Sequence, residues 1–251
     1  MRLLLDIGNT RIKWAAQTDR GISSQQAISL EGLSKTDLID RVLMPHSEMT
    51  AVLVSNVAGE SIAQQVRQAV KQCWQLDAKF VVSEAQRHIA GRQLRNAYPQ
   101  PQLLGVDRWL SMLAAWGLAP TPVLVVSVGT AMTLDAINEQ GQHLGGLIVP
   151  GPELMMTSLL HQTSDLAERS ALVHDASMAD AFFASNTRAA IEQGSLRAAS
   201  ALIERAYQQL AHLDQLRVVM TGGAAPALMA DLNVPAQFVP DLVLQGLSQY
   251  E

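Results

Sequence analysis

Leu3-Leu4-Leu5 is a short, wholly apolar run that ends on Asp6, and Ile7-Gly8-Asn9-Thr10 leads into the alternating stretch Arg11-Ile12-Lys13-Trp14. A strand buried on both faces reads as such an unbroken apolar run, and Gly-Asn tolerates a tight turn, so the pattern predicts a β-hairpin with polar chemistry at its tip. The design returns at Val123-Leu124-Val125-Val126-Ser127-Val128, followed by Gly129-Thr130 and the continuation Ala131 to Asp135. Between and after these hairpins the period changes. Ile62, Val66, Ala69 and Cys73 fall on one face of a helix, as do Val106, Leu110, Leu113, Ala114 and Gly117 of a helix starting near Asp107. Further strands are expected at 25–30, 51–55, 79–82, 142–149 and 216–221, and further helices at 35–44, after the break Pro150-Gly151-Pro152 to about His161, from about Ser177, and at 241–250. The stripe Leu196, Ala199, Ile203, Ala206 and Leu210 suits a core face or a dimer seam. The polar stretch 83–102 reads as a loop.

Strands alternating with helices, after an opening antiparallel meander, predict an α/β fold with mixed sheets flanked by helices. The pair Pro120 and Pro122 marks the expected boundary between an N-terminal lobe, 1–118, and a C-terminal lobe, 119–251.

The chain has 251 residues, of which 48% are hydrophobic, enough for well-packed cores. Its net charge of -5 opposes general nucleic-acid affinity, so anionic ligands need a local site. The leucines before Asp6 are too few for a secretory signal core and no segment approaches a membrane span, so a cytoplasmic location is expected. Cys73 is the single cysteine, which excludes an internal disulfide, and the six histidines lie scattered without metal-ligand spacing, so loop or surface roles are expected for them.

No Gly-rich phosphate loop of the G-x-x-x-x-G-K-[ST] type and no G-x-G-x-x-G occurs. Phosphate binding therefore falls to the hairpin tips, where glycine lets backbone N–H groups approach an anion and threonine adds a hydroxyl. Two such tips facing each other would clamp a nucleotide. Asp6 either stabilises its own turn or serves the site, and Asp107-Arg108 either caps its helix or presents a base beside an anion-holding guanidinium. Gly222-Gly223 suits an adenosine pocket or a plain strand-to-helix turn.

Taken in order, Asp6-Ile7-Gly8-Asn9-Thr10 with Lys13, Leu104-Gly105-Val106-Asp107-Arg108-Trp109, Gly129-Thr130-Ala131-Met132-Thr133-Leu134-Asp135 and Gly145-Gly146-Leu147-Ile148-Val149-Pro150-Gly151 make the chain resemble the type III pantothenate kinases, of the acetate and sugar kinase/Hsp70/actin superfamily. The resemblance implies a duplicated actin-like (ribonuclease H-like) fold, a homodimer, and ATP-dependent phosphorylation of pantothenate at the start of coenzyme A synthesis. It implies that Asp6, Ile7, Gly8, Asn9, Thr10, Arg11, Ile12 and Lys13 hold the phosphates of ATP, with magnesium at Asp6, and that Thr130 contacts ATP. Tyr98, Gly105, Val106, Asp107 and Arg108 would bind pantothenate with Asp107 as general base, and Thr187 would reach it across the dimer. Members often carry aspartate where Ser127 stands, at a site for potassium or another monovalent cation such as ammonium, and a neutral hydroxyl weakens a site built on ligand charge. The rival readings are a nucleotide-binding regulatory accessory protein without turnover, and a kinase of the same superfamily acting on sugars or acetate.

Overall fold

The computed structural model describes residues 1–46, 49–162 and 182–251, which fold into two compact units. The first holds Met1–Pro122, Ile137–Gly145 and Val239–Glu251, and the second holds Val123–Ala136 and Gly146–Phe238.

In the first unit, β1 (Arg2–Ile7) lies between antiparallel β2 (Arg11–Thr18) and parallel β5 (Ala51–Asn56). Leu3, Leu4, Leu5 and Ile7 are fully buried, which is why the run carries no polar residue until Asp6. The short strands β3 (Gly21–Ile22) and β4 (Gln26–Ser29) extend the sheet beyond β2, and β6 (Ala78–Phe80) pairs with β5. Ser34 caps helix α1 (Lys35–Asp37) in a reciprocal capping box with Asp37. The helix expected over 35–44 then widens into a π-helix, Leu38–Leu43. Its buried residues are Leu38, Val42 and Leu43, and the wider turn suits two leucines five residues apart that share one core. Helix α2 (Glu60–Trp74) buries Ile62, Val66, Ala69 and Val70 in the same core.

The stretch expected as loop between 83 and 102 holds a hairpin, β7 (Gln86–Ile89) and β8 (Arg92–Arg95), followed by a 3-10 turn, Pro101–Leu103. Its tip has Ala90 at φ 50° and Gly91 at φ 74°, the left-handed pair of a tight hairpin turn. Alanine seldom adopts that conformation, so no Asn-Gly or Asp-Gly signal announces it. Helix α3 (Val106–Leu118) follows and is buried along most of its length.

The second sheet has the order β11-β10-β9-β12-β13, from β9 (Val123–Val128), β10 (Ala131–Ile137), β11 (His143–Pro150), β12 (Arg217–Thr221) and β13 (Ala236–Phe238). Parallel pairing of β12 with β9 and β13 makes this sheet mixed, like the first. Helices α4 (Pro152–Gln162), α5 (Thr187–Gln209) and the short α6 (Ala225–Met229) accompany it. Ala199 and Ile203 of α5 are fully buried against the sheet, so its apolar stripe is core. The expected start of this helical region near Ser177 lies outside the described residues.

The terminal helix α7 (Leu242–Leu247) belongs to the first unit, where it packs on α3. A linear cut at residue 118 assigns it to the second lobe, because its partner is remote in sequence. No helix among the described residues is long and apolar enough to cross a membrane.

Candidate active site

The pairing of β1 with its two neighbours decides what surrounds Asp6. Register sets Lys13 opposite it on β2 and Ser55 opposite it on β5. Ser55 Oγ donates to Asp6 Oδ1 at 3.0 Å in a buried bond. Asp6 is only 7% exposed, and burial pushes its pKa up to about 6 even though Lys13 and the Ser55 hydroxyl both favour the charged form. Asp107 is close enough for its negative charge to add to that rise. Asp6, Lys13, Ser55 and Asp107 thus form one electrostatic cluster within the first unit.

The hairpin tip closes with the Gly8 N–H donating to the Arg11 carbonyl at 3.0 Å, while the Thr10 carbonyl accepts from Leu30 N–H at 2.8 Å. Asn9, Thr10 and Arg11 are exposed and Gly8 and Lys13 are half-buried. Ile7 and Ile12 have fully buried side chains, so only their backbone can meet a ligand.

Asp107 is half-buried in the first turn of α3, where its Oδ1 accepts the backbone N–H of Arg108 at 2.9 Å. The carboxylate therefore serves its own helix end, which also fixes its direction. Arg108 is buried, and its guanidinium donates to the Tyr98 phenol at 3.2 Å. Asn96 holds the tyrosine loop by accepting the Tyr98 N–H at 2.9 Å and donating to the Glu84 carbonyl at 3.1 Å. His143 corrects the expectation that the histidines keep to loops and surfaces. It is 1% exposed, stacks on Tyr98 with ring centroids 6.3 Å apart, and its Nδ1 accepts the Ala97 N–H at 3.4 Å.

In the second unit the Gly129-Thr130 tip is closed by Gly129 N–H donating to the Ala131 carbonyl at 3.0 Å. Gly151 N–H donates to the Thr130 carbonyl at 2.8 Å. Gly222 sits at φ +98° against β9, where an added Cβ would lie 2.3 Å from the Val128 carbonyl oxygen. Glycine is required there by both conformation and space, so the Gly222-Gly223 turn supports the second hairpin from beneath. Thr130 is exposed at the tip, and Ser127, half-buried, lies beside Thr221 in the parallel ladder. Thr187 opens α5 behind Asn186, whose side chain caps the helix by accepting the Ala189 N–H at 2.9 Å.

A carboxylate and a lysine beside a glycine turn, with a second carboxylate in electrostatic reach at a helix start, suit transfer of an anionic group to an acceptor. Comparison with known proteins specifies the setting. Residues 2–209 match the family model described as type III pantothenate kinase. A type III pantothenate kinase from Nitrosococcus oceani is 34% identical, the match covering 99% of this chain and 93% of that protein, and one from Azoarcus sp. (strain BH72) is 35% identical over 99% and 89%.

The chain belongs to the type III pantothenate kinase family.

Among solved structures, the activator of the 2-hydroxyisocaproyl-CoA dehydratase from Clostridium difficile with bound ADPNP aligns with a TM-score of 0.53 at 14% identity, over 99% of this chain and 93% of that one. The ethanolamine utilization protein EutJ from Carboxydothermus hydrogenoformans aligns with a TM-score of 0.52 at 14% identity, over 99% and 89%. At these identities the likeness is one of fold, and it is the actin-like α/β fold with two sheet-bearing lobes that the motifs imply.

For a type III pantothenate kinase, the fit of Asp6 to magnesium follows from its chemistry. Among the described residues no three His, Cys, Asp or Glu side chains gather as a metal cage. Magnesium bound with a nucleotide needs only one or two carboxylates, because phosphate oxygens and water complete its shell. Asp6, buried and reluctant to ionise alone, is a carboxylate that an arriving cation would hold in its charged form. Ser55, Asn96 and His143 escape motif reading. Ser55 alone leaves a trace, as the polar residue that ends the apolar run 51–54.

Proposed function

We propose that this family member phosphorylates the primary hydroxyl of pantothenate with ATP; its relatives are named pantothenate kinases. The observation that carries the mechanism is the cluster of Asp6, Lys13 and Asp107, which sets a phosphate-binding hairpin and a base within reach of each other's charge. Lys13 and the exposed tip residues Asn9 and Thr10 hold phosphate oxygens, and Thr130 adds a contact from the second hairpin. Asp6 would hold magnesium, which when bound supplies charge neutralisation on the phosphates. Tyr98, Gly105, Val106 and Arg108 orient the acceptor, and Thr187 reaches it from the partner of a homodimer. Asp107 accepts the hydroxyl proton as that oxygen bonds to the γ-phosphorus and the bond to the bridging oxygen breaks. Positioning and charge stabilisation do most of the work in such a transfer.

The test is ADP release with and without pantothenate, repeated with sugars and acetate as acceptors, and with potassium, ammonium or sodium chloride at equal ionic strength. Release dependent on pantothenate is the expected result, and release driven equally by other acceptors, or absent altogether, would refute the reading. Because Ser127 supplies no charge, exchanging the cations should change the rate less than about tenfold. A steeper dependence would place a strong cation site in the protein despite its serine.

A further inference from the structure

The indole of Trp109 is fully buried one residue beyond Arg108, and its Nε1–H donates to the phenol oxygen of Tyr250 at 3.0 Å. Tyr250 lies 141 residues away in sequence and is 6% exposed. The segment that carries it is tied down at every residue. Arg2 donates to the carbonyls of Tyr250 and Ser248, Arg87 donates to the carbonyl of Gln249 at 3.0 Å, and Lys79 reaches the carbonyl of Glu251. The Arg87 guanidinium lies over the Tyr250 ring, 3.6 Å from its centroid, and pairs with Glu84 at 3.0 Å. Burial, the largest effect, together with the nearby Glu84 carboxylate, holds the phenol in its neutral form. Just before this segment, α7 approaches α3 so closely that a Cβ on Gly246 would lie 2.1 Å from the Leu110 carbonyl oxygen.

Two of these contacts, the Trp109 bond and the approach of Gly246 to Leu110, fall on the first turn and a half of α3, the stretch that bears Asp107 and Arg108. Glu84 joins the acceptor side twice, since its side chain pairs with Arg87, which covers the Tyr250 ring, while its carbonyl takes the Asn96 amide that holds the Tyr98 loop. A buried hydrogen bond on a side chain next to the reacting turn fixes the rotation of that turn about the helix axis. Small misplacements of a reacting group are costly in rate while leaving the fold intact.

We propose that Tyr250 is a positioning residue for the acceptor side of the site, acting through Trp109 to hold the turn that bears Asp107 and Arg108. The proposal rests on Asp107 being the base. It differs from a purely structural role in which step it governs. The nucleotide hairpin is built on β1 and β2, so loss of the phenol oxygen disturbs the acceptor and the chemical step but not ATP.

The experiment is a double-mutant cycle on the intact chain with Tyr250→Phe, Trp109→Phe and both, following kcat and the separate KM values for ATP and pantothenate. Tyr250→Phe keeps the ring under Arg87 and removes only the hydroxyl that accepts the Trp109 N–H. It should lower kcat about five- to tenfold, the worth of one buried hydrogen bond of roughly 1 kcal/mol, with KM for ATP within about twofold of wild type. The double variant should be no worse than the poorer single one. An unchanged kcat in Tyr250→Phe, or single effects that multiply in the double variant, would overturn the proposal.

A second measurement reports on the bond whatever the activity. The Trp109 indole N–H resonance, identified by its loss in Trp109→Phe, should shift upfield in Tyr250→Phe, and an unmoved resonance would show that no bond exists in solution. A fully active Asp107→Asn protein would instead overturn the base, and the proposal with it, while leaving that resonance shift in place. The two failures therefore read differently.

Discussion

Replacing Asp107 with Asn lowers kcat by about 10²- to 10⁴-fold, the usual worth of a positioned general base, and leaves the affinity for ATP nearly unchanged. The amide keeps an oxygen to accept the Arg108 N–H, so the helix start survives, and what is lost is the ability to take a proton from the acceptor hydroxyl. It also removes a negative charge near Asp6, whose pKa should fall, so nucleotide binding is spared or modestly strengthened. Steady-state kinetics with both substrates varied, together with calorimetric titration of an ATP analogue, would check this. Turnover within threefold of wild type would remove Asp107 from the chemistry.

Asp6→Asn produces opposite changes in stability and activity. Burial raises the carboxyl's pKa from 3.8 to about 6, so the folded protein binds this proton more tightly than the unfolded chain does. Stability from this group is therefore greatest below the unfolded value and declines as pH rises through about 6, by about 3 kcal/mol for a shift near two units. Above pH 7 the cost of the buried charge is fully present, and asparagine, which still accepts the Ser55 hydroxyl, avoids it. The variant should be more stable by about 1–3 kcal/mol at pH 8, raising Tm by several degrees, while its turnover falls at least about a hundredfold through loss of the phosphate-side carboxylate. Near pH 4 the difference in Tm should vanish. Thermal unfolding at the two pH values, with turnover measured alongside, decides the matter. Equal or lower stability of the variant at pH 8 would mean that the carboxylate is already compensated in the free protein.

Asp6 and Asp107 stand out in the sequence because each sits at a punctuation mark, where an apolar run ends or a helix begins, and Lys13 stands out as a charge on an alternating strand just past a glycine turn. Both sheets, their central strands and the long helices follow from the same alternation of period. Other parts of the site depend on tertiary pairing and leave no local trace. Ser55 meets Asp6 only because β5 docks parallel to β1 in one register, and His143 reaches Tyr98 from 45 residues further along. The β7–β8 hairpin stays hidden because its turn uses Ala90 where asparagine or aspartate would have signalled it. The short strand β13 and helix α6 are too brief for any periodicity to emerge.

The two carboxylates rest on supports of unequal toughness. Asp6 is woven into the middle of a sheet, hydrogen-bonded on either side, whereas the turn bearing Asp107 leans on a terminal stretch whose last four residues are fastened mainly by three cations. Within that stretch the leucines of α7 are buried on the core, and it is the last four residues, held by the cations, that have few other contacts; segments held so open first as a protein is warmed. The order in which competence is lost should follow: on heating, phosphate transfer fades at a lower temperature than nucleotide capture, and raised salt widens the gap. Simultaneous loss of both, in parallel assays of ADP release and analogue binding across a temperature series, would show that the terminal stretch melts only with the whole.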